Sequence, residues 1–252
     1  MEFACEHALT LGLPAVAFTE HVDFTRWMKG DAIANSGAIL EYPAYTAPLD
    51  VEGYFNSLQR CRDMFPDLKI LSGIEAGEAH LFAESLSVVL RSGHFDRILG
   101  SLHALNYEGR LVQVETLYAF LDAAEVMRRY FTQLLSLITG SDVFAVLAHV
   151  DYPRRHWPSA AGPFDESLFE DEYRAVLRAL ASSGRVLEFN TLSPLASAKL
   201  IRWWHDSGGS AVSFGSDAHV PSRVGDRFGL AVAIVEGAGF RPGEHPLDYW
   251  LR

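Results

Sequence analysis

The apolar residues of the chain gather into short runs separated by longer mixed stretches. The runs are "LPAVAF" at 13–18, "LKILSGI" at 68–74, "FDRILGS" at 95–101, "VFAVLAH" at 143–149, "RVLEFN" at 185–190 and "SAVSFGS" at 210–216. Each has the length of a buried strand. Between most of them lie stretches with a helical apolar period, at 51–65, 117–138 and 169–183. Strands alternating with amphipathic helices predict parallel βα units and an α/β fold. The segment "GDRFGLAVAIVEGAGF" at 225–240 reads as a last helix, followed by a tail containing Pro242 and Pro246. Residues 29–50, rich in Gly, Ala and Pro, read as an insertion of the kind that forms a lid or binding loop over an active site.

Composition narrows the class. The 252 residues suit one large domain spanning 1–252, and 49% hydrophobic content supplies its core. The formal net charge of -11 repels phosphate backbones, so a nucleic-acid partner is not expected. Cys5 and Cys61 fit no metal-ligand spacing and no disulfide framework, which predicts a reducing cytoplasm. No apolar run approaches the roughly 20 residues that span a bilayer, so no membrane partner is expected. The N-terminal stretch carries Glu2 and Glu6 where a secretory signal would be basic.

The polar residues closing the runs change the picture most. Glu20 and His21 follow the first run and Glu75 the second. His103 follows the third, and His149 with Asp151 the fourth. Asn190 ends the fifth, and Asp217 with His219 the sixth. A lone histidine at a strand end is more often a hydrogen-bonded structural residue, and Glu75 alone could be an ordinary surface charge. In a parallel barrel, however, the C-terminal strand ends converge on one face. Imidazole nitrogens and carboxylate oxygens gathered there suit Zn, Mn or Fe. So many ligands exceed one mononuclear site, and the count predicts two or three divalent ions with shared carboxylates. His7, His80, His94, His156, His205 and His245 lie off this pattern, and most read as surface or loop residues, with His156, which follows Arg154 and Arg155, the first exception.

The segments "FTEHVDF", "GIEAGE", "FDRILGSLHAL", "LAHVDYPRR", "LEFNT" and "FGSDAHVPSRVG" occur in that order from about Leu9 to Phe240. Together they resemble the polymerase-and-histidinol-phosphatase (PHP) superfamily, and "GSLH" and "SDAH" its histidinol-phosphatase branch. The resemblance implies a distorted (βα)7 TIM-like barrel with a metal centre that hydrolyses phosphate esters. It implies His21, Glu75, His103, His149, Asp217 and His219 as metal ligands, with Glu75 bridging. The chain departs from the family at its start. The family opens on a His-x-His strand, whereas Met1 falls inside what would be the first helix. The expectation is a barrel with its first strand missing and an open seam.

The implied reaction converts a small phosphorylated substrate, L-histidinol phosphate in the first instance, to the alcohol and phosphate. Clustered ions would activate a water and clamp the phosphoryl oxygens. Asp151, Asp217 and His219 are the candidate catalytic groups, and Glu20, Asp151 and Asn190 are candidates for orienting ligands. Arg154, Arg155 and Arg223 are candidates for holding the phosphate, because a guanidinium fork matches its oxygens, and Asn190 is a further substrate contact. Other readings are a PHP enzyme acting on nucleotide or sugar phosphates, a degenerate module without activity, and a metal-dependent amidohydrolase on a similar barrel.

Overall fold

The computed structural model describes residues 1–27, 48–192 and 195–252. Apart from residues 48–50, the insertion expected at 29–50 lies outside the described residues. The strands are β1 (Ala15–Val22), β2 (Lys69–Gly77), β3 (Arg97–Ser101), β4 (Ala104–Tyr107), β5 (Arg110–Gln113), β6 (Val146–Leu147), β7 (Val186–Asn190), β8 (Ala211–Gly215) and β9 (Trp250–Leu251). The main sheet has the order β1-β2-β3-β6-β7-β8-β9. Its first six strands are mutually parallel, and β9 pairs antiparallel with the start of β8. Residues of β1 and of β8 line a single cavity of about 410 Å³, so the sheet curls into a half-barrel.

The six apolar runs each became a parallel strand, because a strand covered on both faces needs no polar alternation. β2 shows this most fully, with every residue after Lys69 buried. The run at 143–149 is strand only at Val146–Leu147. Two elements escaped the pattern. The β4–β5 hairpin turns at Glu108 and Gly109, both with positive φ, and the short β9 packs near the C-terminus.

Helices cover the outer face. The helix Val51–Met64 is capped by Asp50, whose carboxylate accepts from the Gly53 amide at 3.0 Å. Its buried stripe Tyr54, Leu58 and Cys61 meets Ala4, Cys5 and Ala8 of the N-terminal helix Glu2–Thr10. The helix Ala123–Gly140 buries Val126, Met127, Tyr130, Phe131, Leu134, Leu137 and Ile138. It packs on Glu170–Ser182, with the Phe131 and Tyr173 ring centroids 4.6 Å apart. Phe228–Gly237 is helical, as expected from its sequence. Among the described residues no helix is long and apolar enough to cross a membrane.

Close packing around β3 gives a stability test. A Cβ built on Gly100 would lie 2.5 Å from the Phe144 ring, far inside van der Waals contact. Gly100→Ala is therefore expected to lower unfolding free energy by about 1–3 kcal/mol, the usual cost of overpacking a tight core. Chemical denaturation of the two proteins checks this, and an unchanged midpoint would contradict it.

Candidate functional site

Parallel pairing brings the C-terminal ends of β1, β2, β3, β6, β7 and β8 together. The register sets His21 opposite Glu75. Glu75 Oε1 lies 2.8 Å from His149 Nε2 and 3.1 Å from His103 Nε2. The two ring nitrogens are themselves 3.3 Å apart. Glu75 Oε2 is 3.9 Å from His21 Nδ1. Four of the expected residues, from four strand ends, thus meet around one buried carboxylate.

Asp23, which the strand-end pattern passed over, completes this group. It is 1% exposed. One oxygen lies 2.9 Å from His103 Nδ1 and the other 2.9 Å from His21 Nδ1. A carboxylate only accepts, so Asp23 fixes a proton on His103 Nδ1 and leaves Nε2 as the nitrogen that faces Glu75. Gly77 makes room for this contact, since a Cβ there would stand 2.1 Å from Asp23 Oδ1.

Two more buried carboxylates hold the histidine backbones. Glu78 Oε1 accepts from the amides of His103 at 2.6 Å and Ala104 at 2.8 Å, and Thr25 donates to its Oε2 at 3.1 Å. Glu188 Oε2 accepts from the His149 amide at 2.8 Å and from Asn190 Nδ2 at 3.0 Å. Gly215 leaves space for Glu188, because a Cβ there would lie 1.9 Å from its Oε1. Of five non-glycine residues with positive φ among those described, Glu78, His149 and Asp217 belong to this region. Backbone held in that sparsely populated region costs about 1–3 kcal/mol per residue and collects at functional sites.

The electrostatics follow from burial opposed by charge. Burial alone would raise the Glu75 carboxyl, but the His21 charge and the hydrogen bonds from His103 and His149 hold it well below the ordinary range. Asp23 is likewise lowered, with its His103 partner outweighing burial. Burial works against charge on His103, yet Asp23 and Glu75 raise it well above an ordinary imidazole. His149 goes the other way, lowered chiefly by burial. Glu188 is pushed up to about 7, first by burial and then by the Asp217 charge.

The remaining candidates divide. Asp217 Oδ2 pairs with Arg155 at 2.6 Å and meets Asn190 Nδ2 at 3.3 Å. His219 Nδ1 lies 3.0 Å from the Asp217 carbonyl oxygen, and its ring centroid is 5.7 Å from that of His21. Glu20 is exposed at the mouth of the cavity, which His21, Glu75, His149, Glu188, Asn190 and Asp217 also line. Three candidates are turned elsewhere. Asp151 accepts from Tyr173 at 3.1 Å and pairs with Arg154 at 3.4 Å. Arg154 also donates to the Leu195 carbonyl and covers the Phe164 ring. Arg223 is 58% exposed and pairs with Asp226 at 2.8 Å. Local partners outcompete the cluster for all three.

The donor set fits divalent cations. His21, Asp23 and His103 form one group and Glu75, His103 and His149 a second, with the donor atoms of each within 4.8 Å of one another. Asp217 and His219 belong to neither group among the described residues. Buried carboxylates and imidazoles whose lone pairs converge at such distances are what borderline divalent metals coordinate. His149 Nδ1 is a buried ring nitrogen without a hydrogen-bond partner among the described residues.

The family described as "PHP domain" matches residues 1–192. The chain belongs to the PHP-domain family. Two curated proteins resemble this PHP chain over most of its length. A histidinol-phosphatase of Lactococcus lactis is 26% identical over 249 residues, covering 92% of this chain and 83% of the relative. A protein of Clostridium acetobutylicum, described as "Probable histidinol-phosphatase", is 25% identical over 238 residues, covering 90% and 83%. The crystal structure of histidinol phosphate phosphatase from Lactococcus lactis, complexed with zinc, L-histidinol and phosphate, shares the fold. Its TM-score is 0.79 at 23% identity, over 94% of this chain and 86% of that one.

Proposed function

We propose that this PHP domain hydrolyses L-histidinol phosphate, a small phosphate monoester, to L-histidinol and phosphate. The observation that carries the reading is the buried convergence of His21, His103 and His149 on Glu75. The named relatives supply the substrate.

In this reading His21, Glu75, His103 and His149 hold two or three divalent ions, of zinc, manganese or iron, and Asp217 and His219 close the ring from β8. Bound there, the ions would neutralise phosphoryl charge and lower the pKa of an attacking water. The chain's own residues do the rest. Asp23 holds His103 in the tautomer that faces Glu75. Glu78 and Glu188 pin the backbone of the two buried histidines, so the donor positions are set before any substrate arrives. Asn190 spans Glu188 and Asp217. Arg155, anchored on Asp217 and lying over the Tyr152 ring, offers N–H donors to a phosphoryl oxygen. Water adds to phosphorus, the ester P–O bond breaks, and the proton that the water gives up is balanced by the one the leaving alkoxide takes.

The barrel expected from the family would be completed by a strand between β1 and β8. In support, among the described residues β1 ends the sheet order, Ser213–Gly215 pair only with β7, and both strands border the same cavity.

Phosphate release from L-histidinol phosphate by the purified chain tests the function. Hydrolysis should vanish on chelation and return with added zinc. A metal-loaded chain that releases no phosphate overturns the reading.

A further inference from the structure

The chain's only two cysteines, Cys5 and Cys61, lie far apart in sequence and meet in the structure. Cys5 stands on the N-terminal helix Glu2–Thr10 and Cys61 on the helix Val51–Met64. They share one buried cluster with Ala4, Ala8, Tyr54 and Leu58, and their exposures are 0% and 1%. Both are free thiols. They are also in direct contact. Burial pushes the Cys5 thiol up to about 12, and the charge and hydrogen bonding of Cys61 add to the rise. Neither cysteine lines the cavity at the strand ends, so the site described above leaves them without a role.

One buried cysteine packs as a small hydrophobe and needs no further account. Two in contact differ, because a disulfide requires only that the Cβ atoms approach to about 3.5–4.5 Å. Thiols already touching on one-carbon side chains stand near that geometry. The remaining requirement is access, since a buried thiol is inert. The helix Glu2–Thr10 supplies it. Its fully buried residues are Ala4, Cys5 and Ala8, all small, and its N-terminus has no side-chain cap. Little apolar area holds it down, so it opens locally at lower cost than the sheet beneath it. Lifting it uncovers Cys5 and, with it, the face of Val51–Met64 that carries Cys61.

We propose that Cys5 and Cys61 are a redox-sensitive pair that closes to an intramolecular disulfide and fastens the N-terminal helix to Val51–Met64. The oxidant is a low-molecular-weight disulfide such as oxidised glutathione. One cysteine thiolate attacks a glutathione sulfur and expels a glutathione thiolate. The second cysteine thiolate attacks the protein sulfur of that mixed disulfide and expels the other. Two protein thiols become one S–S bond, and two glutathione thiols carry off the hydrogens. The bridge bears on the site through position. Met1 and Ala4, at the start of the same helix, line the cavity. The helix also packs against the turn Pro221–Arg223, which follows Asp217 and His219. The oxidised form therefore holds this wall of the cavity in place, and the reduced form lets it open.

The test incubates the purified, metal-loaded chain with oxidised glutathione and reads intact mass, non-reducing peptide maps and melting temperature. The expected product is a monomer lighter by two hydrogen atoms, with a peptide that joins Cys5 to Cys61. Its melting temperature should rise by about 5–10 °C, the worth of a disulfide that closes a long loop. Dithiothreitol should reverse all three changes. Cys5→Ala, small like its neighbours Ala4 and Ala8, should instead carry glutathione on Cys61 and show no such rise. A wild type that accumulates glutathione adducts without a bridge, links one chain to another, or stays a dithiol after prolonged exposure overturns the proposal. None of these readouts depends on hydrolysis, so the result stands apart from the phosphatase reading.

Discussion

Glu75→Gln is expected to remove bound metal and hydrolysis together while the chain stays folded. Glu75 is the one residue that touches three of the four converging histidine and carboxylate strand ends, through Oε1 to His103 and His149 and Oε2 toward His21. Glutamine fills the same volume but offers a single acceptor oxygen and an NH₂ group. Whichever way the amide turns, only one of its two ends is an oxygen that can coordinate a cation or accept from the rings. The negative charge that balances a divalent ion is also gone. Loss of an outer-shell partner alone typically costs about 10–100-fold in metal affinity or activity, so loss of this central carboxylate should exceed the upper end of that range. Elemental analysis of purified protein, phosphate release and far-UV circular dichroism check the three parts. Metal content and turnover near those of the parent would remove Glu75 from the centre of the site.

Much of the fold could be read from the sequence because its strands are parallel and buried. β2, β3 and β7 fall in short, largely apolar runs, and such runs mark strands without any need for long-range information. The strand ends then pointed to His21, Glu75, His103 and His149, which the structure brings together. What the sequence hid depended on side-chain direction. Glu188 lies inside the run "RVLEFN", where its charge looks like an interruption. Period two puts it on the same face as Asn190, and the two side chains do meet at 3.0 Å. Asp23 stands two residues beyond His21 and Glu78 three beyond Glu75, both past the point where the apolar run stops. A charged residue within a fully buried strand was the available signal for Glu188.

The neighbouring arginines show the opposite limit. Arg154 and Arg155 sit in the 3₁₀ segment Tyr152–His156, where successive side chains diverge by about a third of a turn. One can face the cluster only if the other faces away. Arg155 reaches Asp217, while Arg154 is held by Asp151 and the Leu195 carbonyl. Arg223 is three residues from Asp226 in a similar turn and pairs with it locally. No spacing rule separates these cases, because the decision lies in which partner is nearest after folding.

Asp23→Asn isolates the role of the carboxylate that the strand-end pattern missed, and it is expected to cut metal affinity or turnover about 10–100-fold. The buried Asp23 carboxylate accepts from His103 Nδ1 and so leaves Nε2 as the nitrogen that faces Glu75. An asparagine can present its oxygen to only one of His103 and His21, and its NH₂ would oppose the other ring. The ionised carboxylate also supports positive charge on His103, which burial resists. Its loss should therefore lower the His103 pKa, and NMR titration of the metal-free protein reads that change directly. A purely structural role for Asp23 would lower the melting temperature without moving the histidine titration or the metal dissociation constant. Gly77→Ala approaches the same contact from the other side, because its Cβ would stand 2.1 Å from Asp23 Oδ1 and must displace it. If both variants bind metal as tightly as the parent, the Asp23–His103 contact does not set the donor geometry.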